Sequence, residues 1–531
     1  MTNSISDLKD AACIMSIGSN TSEAHPVIGF KVKQALRHGT KLIVINPRRI
    51  ELVRHADLWL RPRIGTNVPL LMGMCRIILE QGWADLPFVE ERCENFDAFK
   101  ESLSHYHLES VCRITGLTPE EITAAARMYA ECKPASILYA MGITEFSHGT
   151  DNVMATGNLA MLTGNLGKPG AGVNPLRGQN NVQGACDMGG LPTVYTGYQS
   201  VSDPAVQEKF AGAWGKTAGL KPGLTLSEMF EAAGEGKIKA MYIIGENPMR
   251  SDADIHHIEK ALRKLEFLAV QDIFPTDTTA LAHVVLPGAS FAEKDGTFTN
   301  TERRFQRVRK AVEPVSGSLP DWLITCKLAQ KMGAGGFAYT HPSEIMDEIS
   351  RLTPSYGGIS YERLEQCGSL QWPCPTPEHP GTPILHTQKF PRGRGKFMPL
   401  TYRPPYEMPD EEYPLLLSTG RSLFHYHTGT MTRRVKGLNA FMNEEKVQIH
   451  PADAQNLGIG DGDMVAVSSR RGRVRVRAKV TEVTPEGVVF MTFHFAETPT
   501  NALTNPATDP VSKTPEYKAC AVKVEKLGAE G

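Results

Sequence analysis

Residues 164–184 combine residue types that suit the binding of a polar ligand. The stretch is rich in glycine and in side-chain amides, and Lys168 and Arg177 are its only charged residues. Glycines let backbone amides approach a ligand closely, and asparagine and glutamine both donate and accept hydrogen bonds. The stretch lacks the high charge and low complexity of disordered chains. We therefore predict a long loop without secondary structure of its own that cradles a ligand, with a plain surface loop as the alternative.

The elements before this loop predict a parallel sheet. Residues 13–18 and 42–45 are short apolar runs, and a helical stretch over 26–37 separates them. Strand, helix and strand at this spacing predict a βαβ unit, and ligands of such sheets lie beyond the carboxyl ends of the strands. Further strands are predicted at 58–60, 136–139, 239–244 and 267–270, and polar turns follow the last two.

Helix signals are clearest at a capping box. Thr118 and Glu121 have the spacing of a capping box, and Pro119 between them is suited to the first helical position. The pattern predicts that a helix begins at Pro119. Periodic apolar residues predict further helices over about 69–81, 321–332 and 342–351. The proline-rich residues 373–383 are interpreted as a linker or a surface excursion.

From residue 413 onward the pattern changes to strands. Apolar runs at 415–417, 447–450, 464–468, 474–479 and 487–493, with glycine-rich turns between them, predict a compact β-barrel. Arg473, Arg475, Arg477 and Lys479 alternate with apolar residues, so they share one face of a strand. We interpret this face as solvated; a nucleic-acid surface is the weaker alternative.

The fold class is therefore α/β and multidomain, with two parallel-sheet units and a C-terminal β-barrel. The predicted domains are residues 1–180, 181–291, 292–390 and 391–531, of which the third is a mixed helical and linker region.

Composition sets few limits on function. The chain has 531 residues, a net charge of -1 and 22% charged residues, which gives no global attraction to nucleic acid or anionic membranes. No apolar run is long enough for a membrane helix, and the ten scattered cysteines form no C-x-x-C pair. The motifs of serine hydrolases, zinc peptidases and P-loop enzymes are absent from the sequence, and the glycines at 167, 170 and 172 do not follow a strand as a dinucleotide fingerprint requires.

Two stretches of this sequence resemble a known family. Residues 161–169, MLTGNLGKP, and 175–189, PLRGQNNVQGACDMG, resemble the molybdopterin oxidoreductases, and among them most closely the formate dehydrogenase catalytic subunit. Residues 371–374 and 513–518 match the same subunit, and the likeness extends over about residues 4–526. The resemblance implies that the C-terminal barrel is of the double-psi type, and that the chain binds two molybdopterin guanine dinucleotides around one molybdenum or tungsten ion.

The resemblance also implies roles for individual residues. Arg177 matches the arginine that orients formate, and a guanidinium suits a carboxylate because it can pair with both oxygens; pairing with a loop acid or a pterin phosphate is the alternative. One dinucleotide is expected to contact Gly18, Asn20, Asn46, Arg48, Thr66, Asn67, Met141 and Gly142. The cradle loop is expected to contribute Gly178, Gln179 and Asp187, and the other dinucleotide is expected to contact Gly245, Glu246, Gln271 and Asp272. From the barrel, Thr419, Arg421, His425, Asn501, Tyr517 and Lys518 are expected to cover the pterins. A structural role remains the alternative for each of these positions, and a metal site at His425 and His427 is the weaker reading of that pair.

The family's cysteine motif for a 4Fe–4S cluster, and its cysteine or selenocysteine metal ligand, have no counterpart in this sequence. We expect them to lie before Met1, either in a longer gene product or in a separate N-terminal chain. On that expectation the isolated chain lacks formate oxidation and exposes apolar surface where the other part packs.

The expected activity is the two-electron oxidation of formate to carbon dioxide, or its reverse. The expected partner is an electron-transferring iron–sulfur or diaphorase subunit, the expected compartment is the cytoplasm, and no nucleic acid or membrane span is expected. Another molybdopterin oxidoreductase, such as a nitrate reductase, and a non-catalytic subunit with the pterin-binding fold are the alternatives.

Overall fold

The computed structural model describes residues 1–215 and 221–528, which form two compact units. The first unit comprises residues 1–178, 250–256 and 384–531, and the second comprises residues 179–249 and 257–383. The four predicted domain ranges stay a prediction, because this division follows compactness and joins separate stretches of the sequence.

The strands and helices of the described residues are as follows. The strands are β1 Cys13–Ile17, β2 Lys41–Ile45, β3 Leu58–Leu60, β4 Cys93–Glu94, β5 Ala135–Tyr139, β6 Gly172–Pro175, β7 Val194–Tyr195, β8 Gln199–Ser200, β9 Ala240–Ile244, β10 Phe267–Asp272, β11 Val284–Pro287, β12 Gly296–Thr299, β13 Arg304–Val308, β14 Ser369–Gln371, β15 Gly395–Lys396, β16 Leu415–Gly420, β17 Lys446–Ile449, β18 Met464–Ser468, β19 Arg473–Val480, β20 Val488–Thr492 and β21 Cys520–Lys526. The α-helices are α1 Thr21–Ala24, α2 Pro26–Arg37, α3 Asn67–Glu80, α4 Leu86–Arg92, α5 Phe96–Ser102, α6 Leu108–Thr115, α7 Pro119–Glu131, α8 Met141–Thr144, α9 Gly149–Leu162, α10 Val182–Asp187, α11 Pro204–Trp214, α12 Leu226–Gly234, α13 Pro248–Ser251, α14 Ile255–Arg263, α15 Asp321–Lys331, α16 Pro342–Leu352, α17 Tyr361–Cys367, α18 Lys436–Phe441 and α19 Pro451–Asn456.

A five-stranded parallel sheet organises the first unit, in the order β3-β2-β1-β5-β6. All five residues of β1 are buried, because alternate side chains enter two different cores. Met15 packs in a core with α3, α7 and α9, whereas Ile14 packs in one with α2. The predicted βαβ unit and parallel sheet are confirmed.

The prediction that residues 164–184 lack secondary structure is wrong in part. Residues 172–175 form β6, the edge strand of the sheet, and α10 begins at Val182. Buried amides support this course: Asn165 Oδ1 accepts from the Ala135 backbone N at 3.0 Å, and Asn174 Nδ2 donates to Ser136 Oγ at 2.8 Å. Some of these amides therefore satisfy the protein's own polar groups.

The C-terminal part of the first unit is a closed barrel of six strands, in the order β16-β20-β17-β19-β18-β21. Its core contains Leu417, Val447, Val467 and Val489. In β19 exposed basic residues alternate with buried apolar residues, so the interpretation of a solvated basic face is confirmed. Prediction missed β21, which pairs with both β16 and β18 and closes the barrel.

The second unit has its own parallel sheet, β11-β10-β9, and an antiparallel sheet, β12-β13-β14. Phe305, Tyr356 and Cys374 form a core beside the antiparallel sheet. Because Cys374 is fully buried, the interpretation of residues 373–383 as a linker or surface excursion is wrong at that end. No helix in the described parts of the chain is long and apolar enough to cross a membrane.

Candidate active-site cleft

A cleft lies at the carboxyl ends of the parallel strands of the first unit. The turns that follow β1, β2, β3 and β5 line one side, and residues of the barrel line the other. This is the edge at which open parallel sheets bind their ligands. Ten of the predicted site residues line it: Gly18, Asn20, Asn46, Arg48, Asn67, Met141, Gly142, Thr419, Arg421 and Lys518.

Two glycines that line the cleft let the turns after β1 and β5 touch each other. The Gly142 backbone N donates to the Gly18 carbonyl at 2.9 Å. A Cβ atom on Gly142 would lie 2.4 Å from that carbonyl oxygen, and Gly18 has a φ of +57°. Only residues without a side chain permit this backbone approach.

Arg48 is a buried cation in the cleft. Its guanidinium carbon lies 3.3 Å from the centroid of the Phe490 ring, and Nη2 donates to Gln448 Oε1 at 2.9 Å. Burial lowers the pKa of Arg48 to about 10, against a smaller opposing effect of Glu23. No carboxylate of the described residues lies within ion-pair distance of it, so the charge is available to an anionic ligand.

Arg421 and Lys518 bring further positive charge from the barrel. Arg421 Nη1 donates to the Gly178 carbonyl at 2.6 Å, and burial lowers the pKa of Arg421. Lys518 Nζ pairs with Glu145 Oε2 at 2.8 Å and donates to the Thr419 carbonyl at 3.0 Å. Arg421 therefore keeps most of its donors for a ligand, while Lys518 is largely committed to the protein.

Four buried polar atoms of the cleft-lining residues have no hydrogen-bond partner within the described residues. They are Asn20 Oδ1, His25 Nδ1, Arg48 Nε and Arg421 Nε. Buried polar atoms are nearly always paired, and an unpaired one costs about 1–3 kcal/mol. Two acceptors and two donors gathered in one cleft indicate a polar, anionic ligand with N–H groups of its own.

Arg177 follows the carboxyl end of β6, next to this cleft. His25 Nε2 lies 2.7 Å from the Arg177 carbonyl. Burial raises the pKa of Tyr139 to about 12, and the Arg177 charge opposes that rise. The Arg177 guanidinium is thus close enough to the end of β5 to affect Tyr139 electrostatically.

Other predicted residues of the first unit lie outside the cleft lining. Thr66 donates its hydroxyl to the Arg63 carbonyl at 2.6 Å. His425 Nε2 lies 2.6 Å from the Met442 carbonyl and Nδ1 lies 3.2 Å from Thr432 Oγ1, so both ring nitrogens have protein partners. Asn501 Nδ2 donates to the Ser251 carbonyl at 3.0 Å, and the Tyr517 hydroxyl donates to it at 3.2 Å.

The predicted residues of the second unit form two groups. Gly245, Glu246, Gln271 and Asp272 lie at the carboxyl ends of β9 and β10, where the Gly245 backbone N donates to the Gln271 carbonyl at 2.8 Å. Burial raises the pKa of Glu246. This edge repeats, within the second unit, the arrangement found in the first.

Gln179 and Asp187 form the second group, and Gln179 is the first residue of the second unit. Asp187 belongs to α10 and not to the strand ends described above. The Asp187 carboxylate is fully buried and accepts from Gln183 Nε2 at 2.7 Å, the Tyr198 hydroxyl at 3.0 Å and Trp372 Nε1 at 2.7 Å. These bonds attach α10 to the segment 371–374, which favours the structural alternative for Asp187.

Sequence reasoning missed several cleft residues. His25 and Arg63 follow β1 and β3, so the strand-end rule that found Asn20 applied to them as well. Phe490 had no signal, because an aromatic residue in a strand of apolar residues is typical of a core. Within the described residues, no cluster of three or more His, Cys, Asp or Glu side chains could hold a metal ion.

Comparison with known proteins gives consistent matches along the chain. A family model described as molybdopterin oxidoreductase matches residues 1–331, and one described as molydopterin dinucleotide binding domain matches residues 415–521. The chain is 52% identical to F420-dependent formate dehydrogenase 1 subunit alpha of Methanococcus maripaludis, over 99% of this chain and 78% of that protein. It is 42% identical to formate dehydrogenase H of Escherichia coli, over 99% of this chain and 74% of that protein.

A solved structure shares the fold. Acetylene hydratase from Pelobacter acetylenicus matches with a TM-score of 0.76 at 23% identity, over 98% of this chain and 81% of that chain. This likeness concerns the fold alone, and it agrees with the predicted class of α/β units with a C-terminal barrel.

Proposed function

The chain belongs to the molybdopterin oxidoreductase family, and on that premise we propose that it is the catalytic chain of a formate dehydrogenase. It would take two electrons and a proton from formate and release carbon dioxide, or catalyse the reverse. Relatives named formate dehydrogenase, at 52% and 42% identity, support the proposal. The observation that carries it is Arg177, an arginine next to a cleft of unpaired buried polar atoms, with its carbonyl near His25.

The cleft residues fit a pterin guanine dinucleotide. The unpaired N–H groups of Arg48 and Arg421 suit a pyrophosphate, and the unpaired acceptors of Asn20 and His25 suit the N–H edges of guanine or pterin. When bound, the metal–pterin group accepts the two electrons. The metal, molybdenum or tungsten, and the cysteine or selenocysteine that ligates it are part of the proposal.

The proposal assigns the remaining predicted residues as the family resemblance implies. One dinucleotide would contact the first-unit positions from Gly18 to Gly142, and the other would contact Gly245, Glu246, Gln271 and Asp272. The barrel residues Thr419, Arg421, His425, Asn501, Tyr517 and Lys518 would lie over the pterins, with Gly178, Gln179 and Asp187 in the cradle loop.

Arg177 would bind and orient formate. A guanidinium can donate two parallel hydrogen bonds to the two carboxylate oxygens, which fixes the direction of the formate C–H bond. Formate is an anion and carbon dioxide is neutral, so the same charge holds the substrate more tightly than the product. Arg177 would therefore lower the KM for formate and favour the release of carbon dioxide.

The electrons would leave through a 4Fe–4S cluster to an iron–sulfur or diaphorase subunit, and the complex would work in the cytoplasm. These parts of the proposal rest on the family resemblance.

The test is formate-dependent reduction of a viologen dye by the complete holoenzyme, purified with its partner chains. An artificial dye makes the result independent of the natural acceptor. We expect activity with formate and none with nitrate as the oxidant of reduced dye. Loss of one charge-assisted hydrogen bond in Arg177→Lys should raise the KM about 10- to 100-fold.

The matched control is Arg475→Lys, a substitution on the exposed face of β19, which should leave the KM unchanged. A cofactor-loaded holoenzyme without formate activity, or an Arg177→Lys variant with the control's KM, would contradict the proposal.

A further inference from the structure

The His25 side chain contacts the backbone of Arg177, the candidate substrate-binding residue. His25 lies immediately before α2, which begins at Pro26, and its half-buried side chain lines the cleft. Nε2 lies 2.7 Å from the Arg177 carbonyl oxygen. A carbonyl can only accept a hydrogen bond, so Nε2 must carry the hydrogen.

The second nitrogen of the same ring has the opposite character. In a neutral imidazole with its hydrogen on Nε2, Nδ1 is an acceptor. Nδ1 is buried and has no partner within the described residues, and His25 lines the cleft. Burial, together with the nearby Arg421 charge, lowers the pKa of His25, which keeps the ring neutral at pH 7. His25 thus presents a fixed donor to the protein and an unused acceptor in the cleft wall.

The Nε2–H of His25 bonds a turn whose next carbonyl is bound by a second donor. Arg421 Nη1 donates to the next carbonyl, that of Gly178, at 2.6 Å. Two consecutive carbonyls are therefore bound by donors from distant parts of the chain, His25 beside α2 and Arg421 after β16. Binding both carbonyls restricts rotation of the two peptide planes after Arg177 and so limits the directions open to its side chain.

We propose that His25 is a positioning residue for substrate binding: its Nε2–H fixes the backbone of Arg177, and its Nδ1 accepts a hydrogen bond from an N–H or O–H group of the ligand in the cleft. The donor side of this proposal rests on the proposed function, since it assigns formate to Arg177. The acceptor side predicts that the ligand group beside His25 is a neutral donor, because a phosphate oxygen has no hydrogen to give.

Two substitutions separate the two sides of the ring. His25→Gln places an N–H donor near the position of Nε2 and removes the acceptor at Nδ1. His25→Asn places an acceptor near the position of Nδ1 and removes the donor to Arg177. A structural role in packing alone would make the two variants alike, because both replace the ring with a smaller amide.

The experiment compares both variants in the cofactor-loaded holoenzyme. His25→Asn should raise the KM for formate about five- to ten-fold, the loss expected for one neutral hydrogen bond, with cofactor content close to wild type. His25→Gln should restore most of the formate affinity and should lower the cofactor content instead. We expect kcat to change less than the KM in His25→Asn and less than the cofactor content in His25→Gln.

Hydrogen exchange gives a readout that does not depend on activity. Amides of residues 176–181 should exchange faster in His25→Asn than in wild type, and at close to the wild-type rate in His25→Gln. The control is His450→Leu, which removes a histidine–backbone bond at the start of α19, outside the cleft, and should affect neither quantity.

Equal KM values and equal exchange rates in the two His25 variants would overturn the donor side. Full cofactor content in His25→Gln would overturn the acceptor side. Wild-type holoenzyme that binds cofactor but does not oxidise formate would refute the proposed function, while faster exchange confined to His25→Asn would still support the backbone clamp.

Discussion

Replacing Arg48 with methionine should hardly change the stability of the cofactor-free chain but should weaken cofactor retention. Burial lowers the pKa of this guanidinium from 12.5 to about 10, which corresponds to a cost of about 3 kcal/mol for keeping it charged. Its contact with Phe490 returns about 0.5–2 kcal/mol, and its bond to Gln448 about 1.5–3 kcal/mol. These opposing contributions nearly cancel, and methionine fills a similar volume with an apolar chain.

We therefore expect the free energy of unfolding of the cofactor-free chain to change by less than about 2 kcal/mol in Arg48→Met. Removing one partner of a satisfied buried ion pair would instead cost about 3–5 kcal/mol. In the loaded protein the variant loses a charge-assisted bond to the ligand, which should weaken binding about 10- to 100-fold. Thermal melting followed by circular dichroism measures the first quantity, and the fluorescence of oxidised pterin per chain measures the second.

Arg61→Met is the matched control. Arg61 also lies near an aromatic ring, 5.4 Å from the Trp59 centroid, and donates to the Pro47 carbonyl at 2.9 Å, but it does not line the cleft. It should retain full cofactor content. If Arg48→Met destabilises the cofactor-free chain by 3 kcal/mol or more, or keeps its full complement of pterin, the assignment of Arg48 as a ligand-binding cation is wrong.

Three further predictions concern stability. Burial raises the pKa of Glu445, which accepts a hydrogen bond from the Thr492 backbone N, from 4.5 to about 7. Between these two pH values the folded state holds a proton that the unfolded state has lost. The free energy of unfolding should therefore fall by up to about 3 kcal/mol as pH rises from 4.5 to 7. Denaturation curves across that range should show this slope in wild type and not in Glu445→Gln. Gly142→Ala should lower the melting temperature, because the new Cβ would lie 2.4 Å from the Gly18 backbone and such overpacking costs about 1–3 kcal/mol. Gly157→Ala, in α9 with open space around it, should instead raise the free energy of unfolding by about 0.5–1 kcal/mol. Equal melting temperatures of the two variants would contradict this contrast. Asp187→Asn should destabilise the second unit by about 1–3 kcal/mol, because an amide N–H must face one of the donors from Gln183, Tyr198 or Trp372; unchanged tryptophan fluorescence and melting would count against this network.

Sequence patterns located four of the five parallel strands of the first unit, β1, β2, β3 and β5, because each is a short apolar run that ends at a break in that pattern. The start of α2 at Pro26 and the capping box at Thr118 agree with the structure. Asn20, Asn46 and Met141 share one cleft because the carboxyl ends of parallel strands meet at the same edge. That rule needs only the order of the strands, so it works from sequence.

Other features depend on contacts that local patterns do not encode. β6 contains glycine and proline and becomes a strand through its pairing with β5. β21 did carry a signal, since Cys520, Val522 and Val524 alternate into the barrel core, and a period-two count would have found it. The role of Asp187 was not visible, because its partner Trp372 is far away in sequence.

The cleft is lined by residues as far apart as Gly18 and Lys518, and this separation has a consequence for how the protein is made. At about 5–20 residues per second, about 25 to 100 seconds pass on the ribosome between these two residues. During that interval one wall of the cleft exists without the other, and Arg48 and Asn20 face solvent. The cleft is therefore complete only once the barrel has folded, so a ligand that needs both walls can be held only by the nearly finished chain.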